Sequence, residues 1–190
     1  MTKGALEDRY VYEEFKKLIE KFKIKKIIET GTYHGWSTMK LSEFNLPVTT
    51  IELSNENYQI AKNNIEQKNI TNVEVLLGSS PNVLNSILNN NEEGLLLFLD
   101  AHWHNYWPIH DELNVCINKK IKPIIVIHDF YVPDDNGQAK FGYDSYDGQN
   151  LDFEYIKNFM IRIYGEDNFD YYYNERIDSV DSGLIYIHKK

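Results

Sequence analysis

The chain has 190 residues, of which 42% are hydrophobic and 26% charged, and it carries a formal net charge of −9. That length is ordinary for one domain with its own core. The acid excess argues against nucleic acid as a partner, because such binders draw their affinity from Lys and Arg meeting phosphates. The basic residues Lys16, Lys17, Lys21, Lys23, Lys25 and Lys26 read as the solvated face of an amphipathic helix. No run approaches the roughly 20 apolar residues of a membrane span, and the N-terminus lacks the apolar stretch of a secretory signal. One cysteine, Cys116, excludes an internal disulfide and fits a reducing compartment. The expectation is a cytoplasmic protein that meets neither membrane nor nucleic acid, with its oligomeric state unspecified.

Taken in chain order, Tyr10, Phe15, Leu18, Ile19 and Phe22 recur at helical spacing and predict a first helix over Leu6 to Phe22. Lys25 to Thr30 reads as a short buried strand, Trp36 to Phe44 as a helix and Val48 to Glu52 as a second strand. Ser54 is the expected N-cap of a helix reaching about Gln67. A strand over Val73–Leu77 precedes a helix from Pro81 to Leu88, with proline in its first turn. Gly94 to Asp100 is a continuous apolar run, as in a central parallel strand covered on both faces. A helix over Pro108 to Ile117, a strand over Pro123 to His128, a helix over Leu151 to Ile163 and strands near Phe169–Tyr173 and Gly183–His188 complete the series. Alternating strands and helices predict a single doubly wound α/β domain. The one long connection, Tyr131 to Gln149, is rich in Gly, Asp and Tyr. Loops of that length are commonly functional, so it is read as an active-site lid or as an ordered surface loop built on Asp-Gly turns.

In open parallel sheets, ligands bind beyond the carboxyl ends of the strands. The predicted tips are Glu29-Thr30-Gly31, Glu52, Gly78-Ser79-Ser80, Asp100-Ala101-His102 and His128-Asp129, each with a carboxylate, imidazole, hydroxyl or glycine. Gly31 and Gly35 stand four apart, which allows close backbone approach and a sharp turn into a helix. They match neither the dinucleotide fingerprint nor the P-loop. Glu52, 21 residues after Gly31 and ending the second strand, suits a carboxylate accepting both hydroxyls of a ribose; its alternative is a helix N-terminal charge.

The stretch from Ile28 to Thr38, reading IETGTYHGWST, resembles motif I of class I S-adenosylmethionine-dependent methyltransferases, and more narrowly the catechol O-methyltransferase-like small-molecule O-methyltransferases. Thr50-Ile51-Glu52 resembles their ribose-binding acidic motif, and Val73 to Ser80 the segment bordering adenine. Phe98 to His104 and Ile125 to Pro133 resemble their metal and catalytic motifs. The resemblance spans about residues 24 to 133. It implies a Rossmann-like methyltransferase fold: a mostly parallel seven-stranded sheet with an antiparallel last strand. It also implies S-adenosylmethionine as cofactor, held by Glu29, Gly31, Thr32, Tyr33, Gly35, Ser37, Glu52, Leu53, Gly78, Ser79, Ser80 and Asp100, with a small molecule as acceptor.

The acceptor half departs from the family pattern. An alanine follows Asp100, and His104 stands where the family has its catalytic lysine. The family's Asp-Asn pair of metal ligands becomes His128-Asp129, or Asp129-Phe130 with a one-residue shift. In the first alignment Asp100, His128 and Asp129 form a nitrogen and oxygen donor set for a divalent metal, suiting manganese, iron or zinc better than magnesium; the second loses a ligand. His104 and His102, with Asp100, are the candidate catalytic groups, since histidine titrates near neutrality and serves as a general base. The aromatic stretch Phe141 to Gly148 has the composition of a wall over an acceptor. Two rival readings are metal-dependent hydrolysis or oxygenation by the Asp/His cluster, and a nucleoside-binding module without transfer activity. The acceptor hydroxyl, and whether oxygen or nitrogen accepts, stay open.

Overall fold

Period-two burial organises the sheet. In β4 (Leu95–Leu99), Leu95, Leu97 and Leu99 join one apolar cluster while Leu96 and Phe98 join another on the opposite face. In β5 (Ile124–Ile127), Ile125 and Ile127 face the first cluster, Ile124 and Val126 the second. A strand whose successive side chains are all buried must be covered twice. Helices supply both covers in this computed structural model, which describes residues 4–101 and 106–190. Helices α4 (Ser80–Ile87), α5 (Ile109–Lys119) and α6 (Phe153–Tyr164) cover one face. A 3₁₀ turn over Ala5–Glu7, α1 (Arg9–Phe22) and α2 (Trp36–Ser42) cover the other. Helix α3 (Asn55–Gln67) packs on the strands Val48–Glu52 and Val73–Leu77, with Ala61 and Ile65 buried and facing Gly35. None of the described helices is long and apolar enough to cross a membrane.

Strands β1 (Lys26–Thr30), β2 (Val48–Glu52) and β3 (Val73–Leu77) run parallel to β4 and β5. Two short strands, β6 (Ser145–Tyr146) and β7 (Gln149–Asn150), form a separate hairpin. Strands β8 (Phe169–Tyr173) and β9 (Ile185–Lys189) close the main sheet, whose order is β3-β2-β1-β4-β5-β9-β8. Strand β9 is antiparallel to both neighbours, as the resemblance implies. Between β1 and β4 the winding reverses, and the crevice at such a switch point is where ligands bind in open sheets.

Most element boundaries fall within two residues of those expected, and the departures have local causes. The first helix divides because Asp8, extended at φ −72°, accepts from the amides of Tyr10 and Val11 and starts α1 after itself. Asp152 likewise caps α6 through the Tyr155 amide, which delays that helix past Leu151. Helix α2 stops at Ser42, whose hydroxyl donates to the Met39 carbonyl. Ser54 caps α3 as expected, through the Asn57 amide. The two short strands of the β6–β7 hairpin were not expected, although an Asp-Gly turn in this connection was one of the two readings. The hairpin turns on Asp147 and Gly148, both at positive φ, the geometry that a two-residue hairpin favours.

Asp8 also joins distant segments. Its second oxygen accepts from the amides of Asp178 and Ser179, at 2.6 and 3.0 Å, tying the start of α1 to the β8–β9 loop. Burial would raise its pKa, but the amides of Asp178, Ser179, Val11 and Tyr10 outweigh burial and hold it below 3.8. This contribution to stability is complete above that ordinary value and lost as pH falls through the depressed one. Asp8→Ala should cost about 2 kcal/mol in urea denaturation at pH 7, with a smaller difference near pH 2. An unchanged midpoint at pH 7 would remove the clamp from the stability of the fold.

Candidate functional site

The turn from β1 into α2 has an uncommon backbone. Gly31, Tyr33 and Gly35 have φ of 83°, 50° and 84°. Gly31 is compulsory for a second reason: a Cβ there would lie 2.2 Å from the Asp100 carbonyl oxygen, so the first and fourth strand tips touch through backbone alone. Strand β2 holds the turn. The Ile51 carbonyl accepts from the Gly31 amide at 2.9 Å. Glu52 accepts from the Tyr33 amide at 2.7 Å on one oxygen and from the Ser54 amide at 2.8 Å on the other. Each carboxylate oxygen has a second acceptor site to spare, so Glu52 is fixed in place and still able to accept from a ligand.

Beside this turn lies a cleft of about 300 Å³ at the tips of β1, β2, β3 and β4. Gly31, Tyr33, Glu52, Leu53, Gly78, Ser79, Ser80 and Asp100, all expected at a cofactor site, line it together. The other four expected residues do not. Glu29 and Thr32 are buried beside it. Gly35 is the N-cap of α2, with Ala61 facing the position its Cβ would take. Ser37 lies against the backbone of Gly4. The lining further includes Ile51 and Ala101, which lie in the motifs at the strand tips, and Asn57, Tyr106 and Pro108, which were not among the expected binding residues. Tyr106 and Pro108 follow a chemically marked strand tip and could have been suspected from that; Asn57 is shown only by the phase of α3.

Glu29 is a buried acid held by hydroxyls. Thr38 of α2 donates to its Oε2, as does Thr50 of β2 at 2.7 Å, and the Thr32 and Thr50 hydroxyls meet at 2.6 Å. Oε1 is buried with no partner among the described residues. Burial first, and then the charges of Asp100 and Glu52, push its pKa up to about 8 against the donations from Thr38 and Thr50.

At the next strand tip, His128 Nδ1 is 2.9 Å from Asp100 Oδ1 and 3.4 Å from Asp129 Oδ2. Burial works to lower the imidazole's pKa, yet the two carboxylates outweigh it and hold it well above 6.5. Nε2 is buried without a partner among the described residues, and Phe98 packs edge-on against the ring. Asp129 takes positive φ, 49°. One ligand atom from each of Asp100, His128 and Asp129 lies within 4.8 Å of the others, so the first of the two alignments gives a spatial cluster able to hold a divalent ion. His102 and His104 lie outside the described residues. His110 is committed elsewhere: it stacks between Tyr155 and Phe159, with Nε2 2.8 Å from the Tyr155 carbonyl.

The long 131–149 connection is stitched into the fold. The Asp144 amide donates to the Asp129 carbonyl and the Gly183 amide to the Gly142 carbonyl, both at 2.8 Å. Tyr131 and Tyr143 meet edge to face at 4.8 Å, while most of the segment's side chains are exposed.

Glu29 gives the protein a pH signature. Unfolded, the carboxyl releases its proton near 4.5; folded, it keeps it to about 8. Stability from this group is thus complete below 4.5 and declines as pH rises towards 8. Thermal melts of Glu29→Gln between pH 5 and 8 should be flatter than those of the wild type. Parallel curves would mean that Glu29 ionises in the fold as it does in water.

The sequence pattern of a family described as O-methyltransferase matches residues 11–129. No curated protein sequence matches the chain. Among solved structures, an O-methyltransferase from Bacillus cereus in complex with SAH is similar, with a TM-score of 0.64 at 22% identity, over 94% of this chain and 80% of that one. The SAH-bound methyltransferase PaMTH1 from Podospora anserina gives 0.62 at 17%, over 100% and 80%. The O-methyltransferase TomG from Streptomyces achromogenes, in complex with SAM, gives 0.61 at 16%, over 94% and 79%. These likenesses are of fold, whereas the family pattern covers more than half of the sequence: the chain belongs to the O-methyltransferase family.

Proposed function

We propose that this protein transfers the methyl group of S-adenosylmethionine to a hydroxyl of a small-molecule acceptor. The observation that carries the reading is the cleft at the β1 and β2 tips, with Glu52 clamped at its wall and Gly31 offering bare backbone. Family membership supports it, as do the similar folds solved in complex with SAH or SAM. Adenosine would lie over Leu53 and Gly78–Ser80, with its ribose hydroxyls on Glu52 and its amino-acid end along Gly31. The sulfonium and ammonium of the donor suit a cleft walled by the carboxylates of Glu52 and Asp100.

The reaction is an in-line displacement. A lone pair of the acceptor oxygen forms the new bond to the methyl carbon, the carbon–sulfur bond breaks with its electrons passing to sulfur, and the hydroxyl proton passes to a base. The protein must align the two reactants and help remove that proton. We assign the base to His104 or His102, with Asp100 at the same strand tip. Asp100, His128 and Asp129 would hold a divalent ion, which when bound would lower the pKa of the acceptor hydroxyl. The mixed donor set favours manganese, iron or zinc over magnesium. The 131–149 segment is proposed as the acceptor wall. Cys116, buried with its thiol pushed up to about 12 by burial, is an inert side chain suited to the cytoplasm.

Two measurements test this reading. Calorimetry should detect binding of S-adenosylmethionine and of its demethylated product, and Glu52→Gln should weaken both by roughly tenfold or more; absence of binding by the wild type sinks the proposal. Titration with Mn²⁺ followed by electron paramagnetic resonance should show one bound ion, lost in Asp129→Ala. Equal binding by that variant would remove the metal role from this cluster.

A further inference from the structure

The Gly31–Gly35 turn has little hydrogen bonding of its own: the Gly35 amide donates to the Thr32 carbonyl at 2.8 Å, while three of its residues keep positive φ. Its shape is imposed from β2, and three consecutive residues of that strand do so in different ways. The Ile51 carbonyl takes the amides of Gly31 and Thr32, and the Glu52 carboxylate takes that of Tyr33. Thr50 uses its side chain. It is fully buried and absent from the cleft wall, so it would touch no ligand lying there.

Both threonine donors, Thr38 and Thr50, meet Oε2 of Glu29, so with the carboxyl proton on Oε1 the direction of the hydrogen bonds follows by counting. A hydroxyl has one proton to give, and Thr50 gives its own to Glu29 Oε2 at 2.7 Å. The 2.6 Å contact between the Thr32 and Thr50 hydroxyls must then be donated by Thr32. A one-way relay, Thr32 to Thr50 to Glu29, therefore ties the middle of the turn to the floor of β1, while Thr38 adds a second donor to Glu29 from α2. Folding alone does not call for this arrangement. Valine has the shape of threonine and suits a buried strand, and the relay ends on a carboxyl with one buried oxygen unpartnered among the described residues. Polar networks that cost stability in a core are found where a geometry must be fixed for function.

We propose that Thr50 is a positioning residue for the methyl donor, setting the conformation of the Gly31–Gly35 turn through the Thr32–Thr50–Glu29 relay. This inference rests on the donor-binding reading above. Thr50→Val keeps the shape and removes both hydrogen bonds; Thr50→Ser keeps the hydroxyl and removes the methyl. Calorimetry on the full chain should find S-adenosylmethionine and its demethylated product both bound about tenfold more weakly by the valine variant, and within about twofold of wild type by the serine variant. The acceptor KM, measured at saturating donor, should not change. Thermal melts check folding, and Thr50→Ala is compared with Thr50→Ser in the same way if the valine variant does not fold. Wild-type affinity in Thr50→Val overturns the inference, and so does a serine variant as weak as the valine one, because packing would then account for the loss. A wild type that binds no donor overturns the functional reading first, and this inference with it.

Discussion

The contact between the Gly31 backbone and the Asp100 carbonyl is the constraint around which the site is built. It joins the tips of β1 and β4 at the point where the sheet reverses its winding, and it leaves no room for a side chain. Once these tips are that close, the chain leaving β1 must turn at once through positive φ. It enters α2 at Gly35 and leaves a cavity on the β2 side. The reversal point of a parallel sheet is open because neighbouring connections diverge to opposite faces; here the opening is lined by groups that the strands themselves deliver.

Charge divides the sheet edge into two regions with different appetites. Around the cleft, the carboxylates of Glu52 and Asp100 form the acidic part of the wall and suit a cationic guest, while Glu29 beside them is buried and keeps its proton to about 8. At the β4 and β5 tips, His128 sits between Asp100 and Asp129 and is held in its charged form. The imidazolium balances carboxylates that would otherwise repel one another, and a metal ion entering there would take over that role as the proton leaves. Asp100 belongs to both regions, as a cleft residue and as a partner of His128. On the proposed reading, that shared position would bring the methyl donor and the acceptor hydroxyl together.

The far edge of the fold supports this centre through hydrogen bonds to backbone amides and carbonyls. Asp8 ties the start of α1 to the β8–β9 loop. That loop returns through Gly183, whose carbonyl accepts from the Phe130 amide and whose amide donates to the Gly142 carbonyl. Phe130 follows Asp129 directly, and the Asp129 carbonyl accepts from Asp144. The left-handed conformation of Asp129 is thus enclosed by hydrogen bonds from both sides, as expected for a residue whose backbone is costly to hold in place.

By itself the sequence determined the strands of the main sheet and the helices that cover it, and that strand tips carry the reactive residues. Apolar periodicity, Ser54 as a cap and the run Leu95–Leu99 are local signals that survive folding unchanged. Eight of the twelve residues read as cofactor-binding line one cleft because parallel strands of similar length end at one edge. Tertiary structure alone decided the partners. Thr50 meets Thr32 and Glu29, Ser37 meets Gly4, His110 stacks between Tyr155 and Phe159, and Asn57 turns into the cleft. These pairings depend on the register between strands and the phase of helices, both fixed by packing between residues far apart in the chain. A local pattern states what a side chain is able to do; the register decides what it is given to do it with.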